Sequence, residues 1–181
     1  MTKDADQLTE IYNLLCRSAL NKEYYGRRLH KTQTLSDVLE ILIAVGTTGS
    51  GVSGIAAFTI EPYGRWIWGF LASASALLAV AKPIIQISKR IERLTRLYVG
   101  HTDNYTNLLI LVSRIRRHGG LNDEMMNLFE TAEARFLELA KEDDPHPDRH
   151  LLQQCESMIR ERHPPQSAWY PKASSEMLEH P

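Results

Sequence analysis

Few residues of this chain stand in patterns that do chemistry. The most suggestive segment is Gly46–Ser53, which reads Gly-Thr-Thr-Gly-Ser-Gly-Val-Ser and follows an apolar run, Ile41–Val45. Its glycines and hydroxyls fit a phosphate-binding loop, in which a lysine must reach the β- and γ-phosphates. Val52 occupies that lysine position, and no apolar strand ending in aspartate follows to hold magnesium. Nucleotide hydrolysis is therefore not expected. The stretch Asp143-Asp144-Pro145-His146-Pro147-Asp148-Arg149-His150 offers metal-ligand atoms. Pro147 keeps His146 and His150 off a common helix, and Asp148 suits a helix N-cap better. Cys16 and Cys155 lie far apart and form no ligand pair. They read as thiols in a reducing compartment. No Ser/His/Asp grouping, cysteine nucleophile or zinc spacing remains. The expectation is a protein that is not an enzyme and has no cofactor and no metal site.

The same small residues take on another meaning in a membrane. Between Ile41 and Ile60 there is no charged residue. Twenty helical residues span roughly 30 Å, the thickness of a bilayer's hydrocarbon core. Glycine weakens a helix in water by about 1 kcal/mol relative to alanine. In lipid, small residues let helices approach closely and exchange hydrogen bonds. Gly46, Ser50 and Gly54 recur every four residues, among Thr47, Gly49, Gly51 and Ser53. This strip can pack the two helices of one hairpin, or it can pack neighbouring copies around a water-filled path. Asp37 and Glu40 lie one turn apart just before the run. They can offset the helix dipole, or they can form a ring of carboxylates at a pore mouth.

These residues need a hairpin to position them. After Glu61-Pro62-Tyr63-Gly64-Arg65, a second uncharged run extends from Trp66 to Ala81 and reaches Ser88 if Lys82 turns toward an interface. Lys22, Arg27, Arg28 and Lys31 precede the first run; Lys89, Arg90, Arg93 and Arg96 follow the second; the tip holds only Arg65. Positive charge stays cytosolic, so both termini are expected inside. Tyr63, Trp66 and Trp68 at the tip suit an interfacial aromatic belt. A soluble bundle with this hairpin as its core would need run length, charge bias and aromatic placement to coincide by accident.

The rest reads as helix. Leu8, Ile11, Leu15 and Ala19 mark one face of an N-terminal amphipathic helix within 1–34. Thr34 with Asp37 suggests a capping box opening the first membrane helix, 35–60. The tip is 61–65 and the second membrane helix 66–88, with a kink expected at Pro83. Beyond Pro83 and through a helix expected at 89–118, Ile84, Ile87, Ile91, Leu94, Tyr98, His101, Tyr105, Leu108, Val112 and Ile115 alternate spacings of three and four. That heptad stripe predicts a long helix packing on partner helices, with Ile91, Leu94, Tyr98, Tyr105, Leu108 and Val112 as a seam between copies. His101 reads as a packing residue on it. Gly119-Gly120 ends the helix. Further helices are expected within 119–162, the first with Leu128, Phe129, Ala132, Phe136 and Leu139 on one face, then a disordered tail at 163–181. The fold expected is all-α: a membrane-embedded two-helix hairpin with long cytosolic helices forming a bundle. From Gly119 onward acids outnumber bases 13 to 6, which argues against nucleic acid as a partner. The polar, acidic N-terminus lacks the pattern of a signal peptide.

The order of these parts resembles the SLATT family, two-transmembrane domains of bacterial conflict systems linked to nucleotide-generating enzymes. The residues that carry the resemblance are the Tyr/Arg-containing helix Tyr24–Lys31, the glycine-rich first run, the very short turn, and a second run leading into Lys82-Pro83, Ile91-Glu92-Arg93 and a long helix. The match spans roughly residues 8–140. It implies an inner-membrane effector that oligomerises and permeabilises the bilayer in antiviral defence. It also implies a nucleotide-signalling enzyme or sensor encoded nearby as a partner. It brings no catalytic residues. The other function class left open is a non-conducting, membrane-anchored helical scaffold.

The charge bias makes a topological prediction. After Glu61→Cys, a membrane-impermeant thiol reagent should label the hairpin tip from outside intact cells. Cysteines placed at Thr32 or Asp103 should stay unlabelled. Recovery of the protein in the soluble fraction after detergent-free lysis would refute the hairpin.

Overall fold

In a computed structural model, residues 2–49, 69–70, 73–74 and 86–165 are described, with side chains left aside at 2–5 and 45–49. Among them the protein is helical, without strands: α1 (Thr2–Gly49), α2 (Ile87–His118), α3 (Asp123–Ala140) and α4 (Arg149–Arg162). None of these described helices is long and apolar enough to cross a membrane. Beyond Gly49 the first expected membrane run, and nearly all of the second, lie outside the described residues. The chain divides into two units, one of Met1–Arg27 with Leu94–Pro181, the other Arg28–Arg93.

The first unit is built on one apolar core. Ile11, Leu14 and Leu15 of α1 meet Leu108, Leu111, Val112 and Ile115 of α2 and Met125, Phe129, Ala132 and Phe136 of α3. Ile11 and Leu108 are fully buried. Each such side chain contributes about 1.5–3 kcal/mol relative to exposure. On α1 the expected face holds: Ile11, Leu15 and Ala19 are buried, with Leu8 partly so. On α3 the buried set is Met125, Phe129, Ala132, Phe136 and Leu139, whereas Leu128 is exposed. Met125, in the first turn, takes the place on that face expected for Leu128.

Contacts fix the direction of α1 and α2. Ser18 pairs with Asn104, Asn21 with His101, and Gly26 lies against Tyr98. As one number rises the other falls, so the two helices are antiparallel. The heptad stripe on α2 is present and wider than expected: Ile87, Leu94, His101, Leu108, Val112 and Ile115 are buried, joined by Leu97, Asn104 and Leu111. Tyr98 and Tyr105 sit at its edge, half-buried, because α2 is covered from both the α1 and the α3 side. Leu94, Leu108 and Val112, expected in a seam between copies, are covered within one chain. Ile91 is half-buried.

One local expectation changes. No cap interrupts α1 at Thr34; its hydroxyl donates to the His30 carbonyl one turn back, at 3.0 Å. A mid-helix threonine satisfies itself this way and needs no helix start. At the start of α2, Gln86 turns with φ 49° and its carbonyl accepts from Arg90 N at 3.1 Å. Pro83, where a kink is expected, lies outside the described residues. A Cβ at Gly100 would lie 2.5 Å from Leu139 Cδ2, so the glycine is what lets α3 settle against α2. Gly119 closes α2 with φ 77° and Asp148 caps α4, both as expected, and Asn122 caps α3.

The core predicts a contrast between neighbours on α2. Leu108→Ala should cost about 2–5 kcal/mol in denaturant unfolding of the full chain in detergent. Leu109→Ala, at an exposed position, should stay within about 0.5 kcal/mol.

Candidate functional site

Polar residues concentrate where α1, α2 and the α3–α4 loop meet in the first unit. Ser18, His101 and Asn104 are buried, and Asn104 Nδ2 donates to Ser18 Oγ at 3.2 Å. The His101 ring stacks on Tyr25, centroids 5.6 Å apart and nearly parallel, and meets Phe136 edge-on at 5.7 Å. Its Nε2 lies 3.4 Å from Asn21 Nδ2 and 3.7 Å from Asp143 Oδ1. With the proton on Nδ1, Nε2 accepts from Asn21; with it on Nε2, the ring faces the carboxylate. Nδ1 itself has no hydrogen-bond partner. A buried group left so costs about 1–3 kcal/mol. His101 is thus a packing residue, as expected, but only partly satisfied.

Two adjacent tyrosines of α1 hold the loop. The Tyr25 hydroxyl donates to Asp143 Oδ1 at 2.7 Å and accepts from Asp144 N at 3.3 Å. The Tyr24 hydroxyl accepts from Asp148 N at 2.9 Å. Both rings are buried and meet edge-on at 5.1 Å. Burial, and then the bond to Asp143, pushes the Tyr25 phenol well above its ordinary range. The acidic residues of the Asp143–His150 segment therefore serve as loop ties and a helix cap. The sequence marks the tyrosines only as part of a Tyr/Arg-containing helix. Their partners stand more than 115 residues away, and no local pattern announces a contact at that distance.

A second polar group fastens the end of α4. Tyr12 OH donates to the His163 carbonyl at 2.6 Å, Tyr105 OH lies 3.0 Å from His163 Nε2, and Arg162 pairs with Glu23 at 2.8 Å. Burial, with the neighbouring Arg162 and Lys22 charges behind it, lowers the His163 pKa. Burial, with Cys16 second, pushes Tyr12 up to about 12. Burial also raises both thiols, Cys16 and Cys155, which makes them poor nucleophiles. A cleft of about 280 Å³ opens between Arg114, Arg117 and His118 on α2 and Glu124 and Met125 on α3, with Arg114 and Glu124 paired at 3.3 Å. These arrangements fix helices against one another; among the described residues no group of three metal-ligand side chains converges.

The residues expected at a pore lie elsewhere. Asp37 and Glu40 are exposed on α1. Gly46, Thr47 and Gly49 belong to the last turn of α1, and Ser50, Gly51, Ser53 and Gly54 lie outside the described residues.

Each tyrosine tie has its own readout. Tyr25→Phe should destabilise the chain by about 1–3 kcal/mol, because the bonds to Asp143 and Asp144 lose their partner. Hydrogen exchange should quicken at the Asp144 amide in Tyr25→Phe and at the Asp148 amide in Tyr24→Phe. Unchanged exchange at both would show that the phenols do not hold the loop.

Comparison with protein-family models, with curated proteins and with solved structures finds no match to this chain. Its function is argued from its own residues.

Proposed function

We propose that this chain is a membrane effector of the SLATT kind. Its two uncharged runs insert as a hairpin into the inner membrane, with both termini in the cytoplasm. Several copies assemble through the Gly/Ser/Thr strip, and the assembly permeabilises the bilayer. The helical bundle of the first unit stands outside the membrane and receives the activating signal, from a nucleotide-signalling enzyme or another sensor. No step of this is catalytic.

The observation that carries the hairpin is the register of α1 on α2. Ser18 and Asn104, which touch, each stand 43 residues from Glu61; Asn21 and His101 each stand 40 residues from it. Gly26 and Tyr98 each stand 36 residues from Pro62. Helices that pair with this symmetry leave arms of equal length to either side of Glu61-Pro62, where the sequence places the tip. The strip of small residues supports assembly, because a single lipid-spanning helix gains nothing from glycine on the insertion scale.

One observation favours the second reading, a non-conducting anchored scaffold. The apolar stripe of α2 is covered within its own chain, so the bundle completes its core without a second copy.

Dye release from liposomes separates the two. Gly46→Ile, Gly49→Ile or Gly54→Ile should keep the protein in the membrane while leakage falls sharply, since a bulkier residue holds helices apart. Leu42→Ile and Val45→Ile, at similar volume, should leak like wild type. Glycine variants that leak fully, or a wild type silent even with its genomic neighbours present, would leave the scaffold.

A further inference from the structure

In the first unit α4 is held differently from the other helices. The apolar core described above belongs to α1, α2 and α3. α4 buries only Cys155 and Ile159, whereas α3 buries five side chains. Its attachment therefore leans on polar bonds at its two ends. At the start, the Asp148 amide donates to the Tyr24 hydroxyl. At the finish stands His163, whose own N–H caps the helix on the Ile159 carbonyl at 2.8 Å. Its carbonyl accepts from Tyr12 of α1 and its Nε2 meets the Tyr105 hydroxyl of α2, so a single residue joins three helices. The Tyr105 and His163 rings also meet edge-on, centroids 5.9 Å apart.

The surroundings of that imidazole suit a neutral ring and oppose a charged one. The groups that face it are Tyr12, Lys22 and Glu23 on α1, Tyr105 on α2 and Arg162 beside it on α4, with Cys16 next to Tyr12. The carboxylate among them, Glu23, is engaged by Arg162 at 2.8 Å. Lys22 stands over the Tyr105 ring, 5.0 Å from its centroid. A neutral imidazole either accepts from the Tyr105 hydroxyl or donates to it, according to its tautomer. An imidazolium can only donate, and it adds a third cation to Lys22 and Arg162.

We propose that His163 is a proton-operated latch for α4: uptake of a proton by its ring releases the C-terminal end of the helix from α1 and α2, while the Tyr24–Asp148 tie keeps the other end in place. Release uncovers the Cys155 thiol and leaves the core of α1, α2 and α3 whole. All parts of the latch lie in the first unit, so it stands or falls apart from the membrane reading.

Burial and charge set the direction. Burial first, then Arg162 and Lys22, lowers the affinity of the docked ring for a proton. An undocked ring takes its proton near the ordinary histidine value, about 6.5. The undocked state therefore binds more protons as pH falls through that value. Docking is firm above it and weakens below it. α4 is the element that responds, because the element with the fewest buried apolar contacts opens at the smallest free energy.

The test is amide exchange of the full chain in detergent, followed residue by residue by NMR at about pH 7.5 and about pH 5.5, on either side of the histidine range. Each rate is divided by the intrinsic rate at that pH, so that protection reports opening. From the higher pH to the lower, protection across α4 should fall several-fold, and that of α3 should hold. After His163→Gln, α4 should show no such fall. The His163 ring in the folded chain, followed by its Hε1 resonance, should titrate below the ordinary histidine value. Constant α4 protection in the wild type overturns the latch. So does an equal fall in α3, which means general unfolding, and so does a fall that survives His163→Gln, which assigns it to another group. If the glutamine variant loses α4 at both pH values, the ring titration decides, and a midpoint at or above the ordinary value overturns the proposal.

Discussion

The antiparallel packing of α1 on α2 holds the first unit together, and the other contacts there are fitted to it. Apolar side chains supply the driving force through Ile11, Leu14, Leu15, Leu108 and Leu111. They would tolerate a slip of one helix along the other, since one aliphatic contact resembles the next. The buried pair Ser18–Asn104 and the partly buried pair Asn21–His101 would not. A slip of one turn leaves each donor facing hydrocarbon, at the cost of an unsatisfied buried group. The polar joint thereby turns a general attraction into one register.

That register sets the place of everything after it. Gly100 opens a notch in α2 that Leu139 fills, which fixes α3. The loop beyond α3 is then carried to α1, where Tyr24 and Tyr25 receive it. The end of α4 is tied in turn by Tyr12, Tyr105 and the Arg162–Glu23 pair. Partly exposed ion pairs of that last kind contribute little on their own; the phenol bonds, nearer the interior, contribute more. The C-terminal helices are therefore coupled to the stretch of α1 just before it leaves the unit at Arg27. A signal that loosened the loop would reach α1 through these few bonds.

Much of this was legible before any coordinates. Helix type, the end of α2, the start of α4, and most of the inward faces of α1 and α3 follow from local patterns: the Gly119-Gly120 pair, the Asp148 cap, and three-four spacings. The width of the α2 stripe was not legible. Counting apolar residues finds Leu94, Leu108, Val112 and Ile115 but also selects Tyr98 and Tyr105, which are half-buried, and passes over Leu97, Asn104 and Leu111, which are buried. Tyrosine scores as apolar but prefers an edge where its hydroxyl finds a partner, and an asparagine buries readily once Ser18 is beside it. The threonine at 34 misled for a related reason: Thr-x-x-Asp looks like a cap, but in a helix that already runs through it the hydroxyl bonds backward.

The sequence by itself determined that this is a helical chain with two uncharged runs of near-bilayer length, a five-residue link between them and cations on both flanks. Those are properties of composition along a line, and no partner is needed to read them. Only the tertiary structure decided how far around α2 the inward face extends, that its stripe is covered within one chain, and that Tyr24 and Tyr25 hold a loop more than 115 residues away. Those outcomes depend on which surfaces meet. A spacing of three and four states that a helix has an apolar side, but the geometry of two neighbours packed at once settles how far around the helix that side extends.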